Sequence, residues 1–282
     1  MTMRVIKDKT FDAERALYAE NGLTLLNCRF EGPADGESAL KECSDITAEN
    51  CFFDLRYPFW HDRGVRVNGC EMTQNCRAAI WYTSDVEVTD TLMQGIKAVR
   101  ECRGVRINNC RVLSPEFGWF SENVEMKDST TEGEYLFLRG SFLRAERVRF
   151  EGKYSFQYVT NAIFENCSFV TKDAFWHSKN VTVKDSVVEG EYVGWYSYGL
   201  TLINCKISGT QPFCHCKKLK LINCEMYDAD LAFEKSEVDA TLLTPVTSVK
   251  NPLAGRIELP DVGKVIRDDP ASHGEVIVVG RG

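Results

Sequence analysis

Residues 165–205 read "ENCSFVTKDAFWHSKNVTVKDSVVEGEYVGWYSYGLTLINC", and this stretch decides the fold. The Asn-Cys pair at Asn166-Cys167 returns as Asp185-Ser186 and again as Asn204-Cys205, each step nineteen residues long. The step runs outward in both directions. Thr91, Cys110, Ser129, Val148, Cys167, Ser186, Cys205 and Cys224 follow at nineteen-residue intervals, and Cys70, Cys51 and Cys28 extend the series at spacings of 21, 19 and 23. Self-similarity at a fixed period of this length marks a repeat architecture.

Two further columns keep the phase. The residue before each of the eleven marks is Asn, Asp or Gly except at Arg147, and the residue six before is Gly, Asn or Asp except at Phe142 and Lys218. These types tolerate a left-handed backbone, so both columns read as sharp turns. Between them lie apolar pairs at period two, such as Leu23/Leu25, Val65/Val67, Val105/Ile107 and Val181/Val183. Alternation bounded by turn residues means short strands. Nineteen residues hold three short strands and three turns, one coil of a parallel β-helix stacked on the next at about 4.8 Å. The reading is all-β, one domain over residues 1–282, with about 11–12 coils. Residues 1–20 form an amino-terminal cap, 21–243 the coils and 244–282 a carboxyl-terminal tail or cap. A short helix near residues 12–19 competes with a strand of an opening coil.

Seven of the twelve cysteines (Cys28, Cys51, Cys70, Cys110, Cys167, Cys205 and Cys224) fall in the mark column. A small, soft side chain suits a narrow inward corner. Their Cβ vectors run parallel, so free thiols are expected. The Asn/Asp column beside them is expected to form an internal ladder, each side chain bonding the backbone of the next coil.

Net charge is −7, which argues against a nucleic-acid partner. The short basic run Lys217-Lys218-Leu219-Lys220 reads as a solvated turn. No signal peptide and no membrane span are read, and unpaired thiols point to the cytoplasm. No cofactor is expected.

Several stretches resemble a known family: "ERALY" from Glu14, "GESALKE" from Gly36, "KDAFW" from Lys172, "GEYVGW" from Gly190 and "SVKNPLAGRI" from Ser248. They look like an uncharacterised bacterial family of single-stranded right-handed β-helices within the pectin-lyase-like superfamily. The resemblance covers nearly the whole chain and implies right-handed coils with an Asn ladder at the second turn. It implies no activity. It also implies that the aromatic runs belong to the first strand of each coil, whose outer face holds the sugar chain in the superfamily's pectic enzymes.

On that strand one column (Leu17, Leu40, Phe59, Ile80, Val99, Gly118, Phe137, Phe156, Phe175, Gly194, Phe213, Ala232) has no polar member and should face inward. The next column (Tyr18, Lys41, Trp60, Trp81, Arg100, Trp119, Leu138, Gln157, Trp176, Trp195, Cys214, Phe233) holds every tryptophan. Alternation turns it outward. Trp60 and Trp81 should then stack, as should Trp176 and Trp195, with Arg100 in cation–π range of Trp81 and Trp119. The column after that, with His61, His177 and His215, is polar enough to require a bulge or an early turn. A bare aromatic stripe of this size calls for a partner. Three explanations stay open: a carbohydrate ligand bound through Trp60, Trp81, Arg100, Trp119, Trp176 and Trp195, an oligomer interface, or the chain's own tail.

Chemistry is sparser. Asp173 and Glu191 fall on neighbouring coils beside Trp176 and Trp195, with Lys172 and His177 close, and are the candidate acid and base of a glycan lyase or hydrolase. Their bland reading is turn residues paired with Lys172. The aspartate cluster of polygalacturonase-type hydrolases and the calcium-binding carboxylates of pectate lyases have no counterpart here. Cys214-His215-Cys216 is no metal motif, because successive strand residues face opposite sides. Gly95, Gly133, Gly152, Gly190 and Gly209 form a column of turn residues.

Overall fold

The computed structural model describes residues 4–32 and 37–280, and among them it holds strands and turns but no helix. Its strands pair in parallel from one coil to the next, the arrangement of a parallel β-helix. Although the sequence repeat shows no break, contacts gather into two compact units, Met1–Arg144 and Ala145–Gly282.

The coil is built alike in both. A six-residue strand pairs in parallel with its counterpart one repeat on, as Val65 does with Val86 in the first unit and Val181 with Leu200 in the second. Both turn columns adopt the left-handed conformation throughout. The residue six before the mark has φ between +51° and +70°, and the residue just before it between +47° and +60°. Phe142, Arg147 and Lys218 share that conformation despite the 1–2 kcal/mol it costs an L-residue, because the neighbouring rungs over-determine it. Inward apolar positions stack on their own kind. Phe11, Phe30 and Phe53 follow one another at 4.9 and 4.8 Å in the first unit, and in the second Phe150–Phe169 and Phe156–Phe175 lie 5.2 and 5.1 Å apart.

The polar ladder runs along a different column from the one expected. Asn27, Asn50, Asn109, Asn166, Asn204 and Asn223 are exposed, and those with bonded side chains reach outward partners, as Asn109 does to Asp90 and Asn204 to Asp185. A left-handed residue throws its side chain out of the turn, so the inward slot passes to the next residue, the mark. There Cys110 donates to the carbonyls of Asn108 and Val88 at 3.2 and 3.5 Å, while its own N–H donates to Ser129 Oγ at 3.0 Å. Cys167 and Ser186 repeat the pattern in the second unit. All twelve cysteines are free and buried.

Both ends of the ladder reach further than expected. Arg4–Lys7 already pairs with the strand starting at Asn21. Residues 14–19 are turn, their N–H groups bonding forward to the carbonyls of Glu37, Ala39 and Lys41, so no helix forms there. At the other end Ala254–Leu259 pairs with Glu237–Leu242, and Glu275–Val278 pairs with Ala254–Leu259 in turn. The tail therefore continues the coils.

Candidate functional site: an outward aromatic ladder

The inward column is buried at every position, so the alternation sets the tryptophans outside. All five are half-buried. In the first unit Leu40–Lys41, Phe59–Trp60, Ile80–Trp81 and Val99–Arg100 form a four-stranded parallel sheet. The second unit forms no such strand at its aromatic runs; the counterpart, Val246–Lys250 paired with Val262–Ile266, comes only after them, where Val249 bridges to Ala232. Its aromatic runs are turns in which alternate residues are left-handed: Asp173, Phe175 and His177 at +56°, +62° and +53°, then Tyr192, Gly194 and Tyr196 at +57°, +77° and +57°. A chain that switches hand at each residue also sends successive side chains to opposite sides, which is why the pattern read as a strand. The early turn expected after the tryptophan is present: His61, Tyr82, Glu101, Tyr158, His177, Tyr196 and His215 are all left-handed.

Trp60 and Trp81 stack at 5.1 Å and 7°, with Lys41 Nζ 4.0 Å over Trp60 and the Arg100 guanidinium 5.4 Å from Trp81. The cation over Trp119 is not Arg100, as expected, but Lys97, at 5.4 Å. Arg100 is turned toward Glu101, to which it donates at 2.8 Å. Burial raises the Glu101 carboxyl, but hydrogen bonds from Tyr82 and Arg100 outweigh it and leave the group below its ordinary range. In the second unit Trp176 and Trp195 stack at 5.3 Å and 3°. Trp119, Trp176 and Trp195 each donate from Nε1, at 2.7 Å, to the main-chain carbonyl of Tyr135, Tyr192 and Gln211. Beside that pair runs a second ladder, Tyr158, His177, Tyr196 and His215, with ring spacings of 4.8, 5.0 and 4.7 Å. Tyr158 and Tyr196 are 41% and 45% exposed.

Cys214 and Phe233 leave the outward column and are buried. The last of these turns is one residue longer, so Phe233 stacks on Phe213 in the inward slot and Glu234 takes the outward one, paired with Lys250 at 3.0 Å. The left-handed position passes likewise from Glu234 to Lys235.

Glu191 is held by Lys172 at 2.7 Å, and that hydrogen bond raises the lysine pKa. Asp173 is largely buried, which raises its carboxyl pKa against the lowering effect of Lys172. The ring of His177 lies between two tyrosines. His215 stacks on Tyr196, whereas the Cys216 thiol donates inward to the Gly194 carbonyl at 3.0 Å.

Two features escaped sequence reasoning. One is a groove of about 500 Å³ on the outer face of the six-residue strands, lined by Arg63, Arg66, Arg106, Asp45, Asp85 and Glu87. Charge alternates from rung to rung, and Glu87 lies 3.9 and 3.7 Å from Arg66 and Arg106. The other is a second inward polar column: Cys43, Asp62, Thr83, Cys102 and Ser121 in the first unit, and Ser178, Ser197, Cys216 and Ser236 in the second. Its signal lay in the sequence, since Cys43, Asp62, Thr83 and Cys102 keep the spacings 19, 21 and 19.

The chain belongs to a family described as "Protein of unknown function (DUF3737)", matched over residues 4–279. No curated protein matches its sequence. Among solved structures it is similar to PfbA, a surface adhesin of Streptococcus pneumoniae, at 7% identity and a TM-score of 0.39, over 93% of this chain and 74% of that one. It is also similar to the A-module of the Azotobacter vinelandii mannuronan C-5 epimerase AlgE4, at 8% identity and a TM-score of 0.32, over 97% of this chain and 87% of that one. Both likenesses are of fold alone.

Proposed function

We propose that this member of the DUF3737 family is a non-catalytic binding protein that holds an extended carbohydrate along the outward aromatic ladder of residues 158–215. The observation that carries the reading is the unbroken run Tyr158–His177–Tyr196–His215, exposed at its first three rings and half-buried at His215, beside Trp176 and Trp195. Because the rings stack on one another, their edges rather than their faces meet a ligand. Phenol hydroxyls and imidazole nitrogens then alternate with apolar ring edges, a surface matched to a chain of hydroxyls and C–H groups. Pairing of Glu191 with Lys172 favours binding over cleavage.

A glycan array followed by calorimetry on the full chain tests this. Tyr196→Ala and Trp176→Ala should each weaken the best glycan about tenfold or more, as loss of a 1.4 kcal/mol contact does. A blank array, or affinities untouched by both substitutions, ends the reading. The rival is an oligomeric scaffold, favoured by ring faces already covered within the chain. It predicts that the same substitutions change the sedimenting mass with no ligand present. A lyase or hydrolase instead predicts glycan turnover that Asp173→Asn abolishes.

A further inference from the structure

Asp62 stands in a slot that the neighbouring coils fill with a thiol or hydroxyl. At each of these positions the side chain donates to main-chain carbonyls. Cys43 Sγ reaches Leu17 and Lys41 at 3.1 and 3.6 Å, Thr83 Oγ1 reaches Trp81 and Phe59 at 3.0 and 3.4 Å, and Cys102 Sγ reaches both Ile80 and Arg100 at 3.2 Å. The second unit repeats the arrangement at Cys216 and Ser236. Hydroxyl slots also accept from the N–H one coil back, as Thr83 Oγ1 accepts from Asp62 at 3.4 Å and Ser121 Oγ from Cys102 at 3.2 Å.

Asp62 is 3% exposed. Its Oδ1 fills the accepting half of the slot, taking the Cys43 N–H at 2.7 Å. Its Oδ2 is buried without a partner, whereas Cys43, Thr83 and Cys102 in the same column each donate to the carbonyl two residues before them. A carboxylate has no proton to offer there. A carboxylic acid completes the pattern.

We infer that Asp62 is carried as a neutral carboxylic acid that donates through Oδ2 to the main chain, and that its ionisation is an alkaline switch loosening the coil beneath Trp60 and Trp81. Burial outweighs the main-chain hydrogen bonds at Cys43 and Trp60, which favour the carboxylate. Glu42 adds a like charge, the thiols of Cys43 and Cys102 are themselves pushed up to about 12 by burial, and Thr83 is neutral. Burial, reinforced by Glu42, pushes the Asp62 carboxyl up to about 8. An unfolded chain returns it to about 3.9.

The native state therefore holds a proton that the unfolded state releases above about pH 4, so the stability this proton confers is complete below that pH. It falls as pH rises and is gone once pH passes about 8. Between those limits the unfolding constant should climb up to about tenfold per pH unit. Asp62→Asn supplies a permanent donor and acceptor of the same shape, and Asp62→Thr copies the neighbouring rung.

The test is denaturant unfolding of the full chain and both variants from pH 5 to 9.5, followed by tryptophan emission. The wild-type midpoint should fall relative to both variants across the window. At pH 9 the Asn variant should be the more stable chain, by at least tenfold in the unfolding constant. A wild-type profile parallel to the variants overturns the inference, as does an Asn variant less stable than wild type at pH 9. An infrared C=O band of a protonated carboxyl, present at pH 6 and absent in Asp62→Asn, reads the proton directly; equal spectra likewise overturn it.

Discussion

Replacing Gly209 by alanine tests the stacked coil more sharply than any large-to-small change. Gly209 has φ +125°, and a Cβ built on it would lie 2.2 Å from the carbonyl oxygen of Gly190, one coil back. Ordinary contact begins near 3.4 Å, so one backbone must move by about 1 Å against another that is itself hydrogen-bonded: Gly190 donates to the Ser208 carbonyl at 2.9 Å. Strain at such a φ costs about 1–3 kcal/mol. Overpacking adds about 1–3 kcal/mol, for a total near 4 kcal/mol. Gly199, in the same unit, is the control. Its φ is +67°, and an added Cβ would meet the side-chain oxygen of Asn180 at 3.2 Å, the end of an exposed side chain whose amide nitrogen donates to Asn161, rather than main chain. Gly199→Ala should cost only the 1–2 kcal/mol of a left-handed alanine, and Gly199→Asn still less, since Asn161 and Asn180 adopt this conformation in the same column. Guanidinium unfolding followed by far-UV circular dichroism gives all three midpoints. Equal losses for Gly209→Ala and Gly199→Ala would mean that close approach of the coils contributes nothing.

Thiol accessibility gives a second test. With all twelve cysteines buried, and Cys76 pushed up to about 12 by burial, Ellman's reagent at pH 8 should find almost no reactive thiol in the native chain and twelve after denaturation. Several thiols reacting within seconds would contradict the inward column. The Lys172–Glu191 pair is about half exposed on both sides, so Glu191→Gln should shift stability by less than about 1 kcal/mol, read from the denaturation midpoint. A larger loss would give the pair a structural role that its exposure does not support.

How much was legible depended on whether the residue or its phase carried the information. Gly64, Asn166 and Asp185 announce a left-handed turn by type, whereas Phe142, Arg147 and Lys218 do so only by standing in the same column. The inward Phe156 and Phe175 were legible because nothing polar shares their column. The hand of the backbone at Asp173, Phe175 and His177 was not, since a strand and a turn of alternating hand leave the same in-out pattern of side chains. Asp62 was hidden by its type, a carboxylate among thiols and hydroxyls, although its spacing from Cys43 and Cys102 matched. The tail was misread because Glu237 pairs with Ala254 at a distance of seventeen residues and Arg256 with Glu275 at nineteen, without a recurring Cys or Asn to mark the turn.

Function was harder to read for a reason built into the repeat. In a β-helix each outward side chain meets the same position of the next coil before it meets anything else, so an aromatic column is self-complementary. The ring faces of Trp60 and Trp81 are covered by one another and by their flanking cations whether or not a ligand exists, although both indole N–H groups are buried without a partner. Recognition can therefore use only what stacking leaves over, the ring edges and the polar atoms at their tips. In the second unit these are the outer edges of Tyr158, His177, Tyr196 and His215, because the indole N–H groups of Trp176 and Trp195 are already given to main-chain carbonyls. A ligand on this ladder should accordingly depend more on the Tyr196 hydroxyl than on either indole N–H, and Tyr196→Phe should lose affinity that Trp195→Phe keeps. Calorimetry with the best-binding glycan decides between them, and the opposite order would place recognition on the indole faces after all, which requires the stack to open.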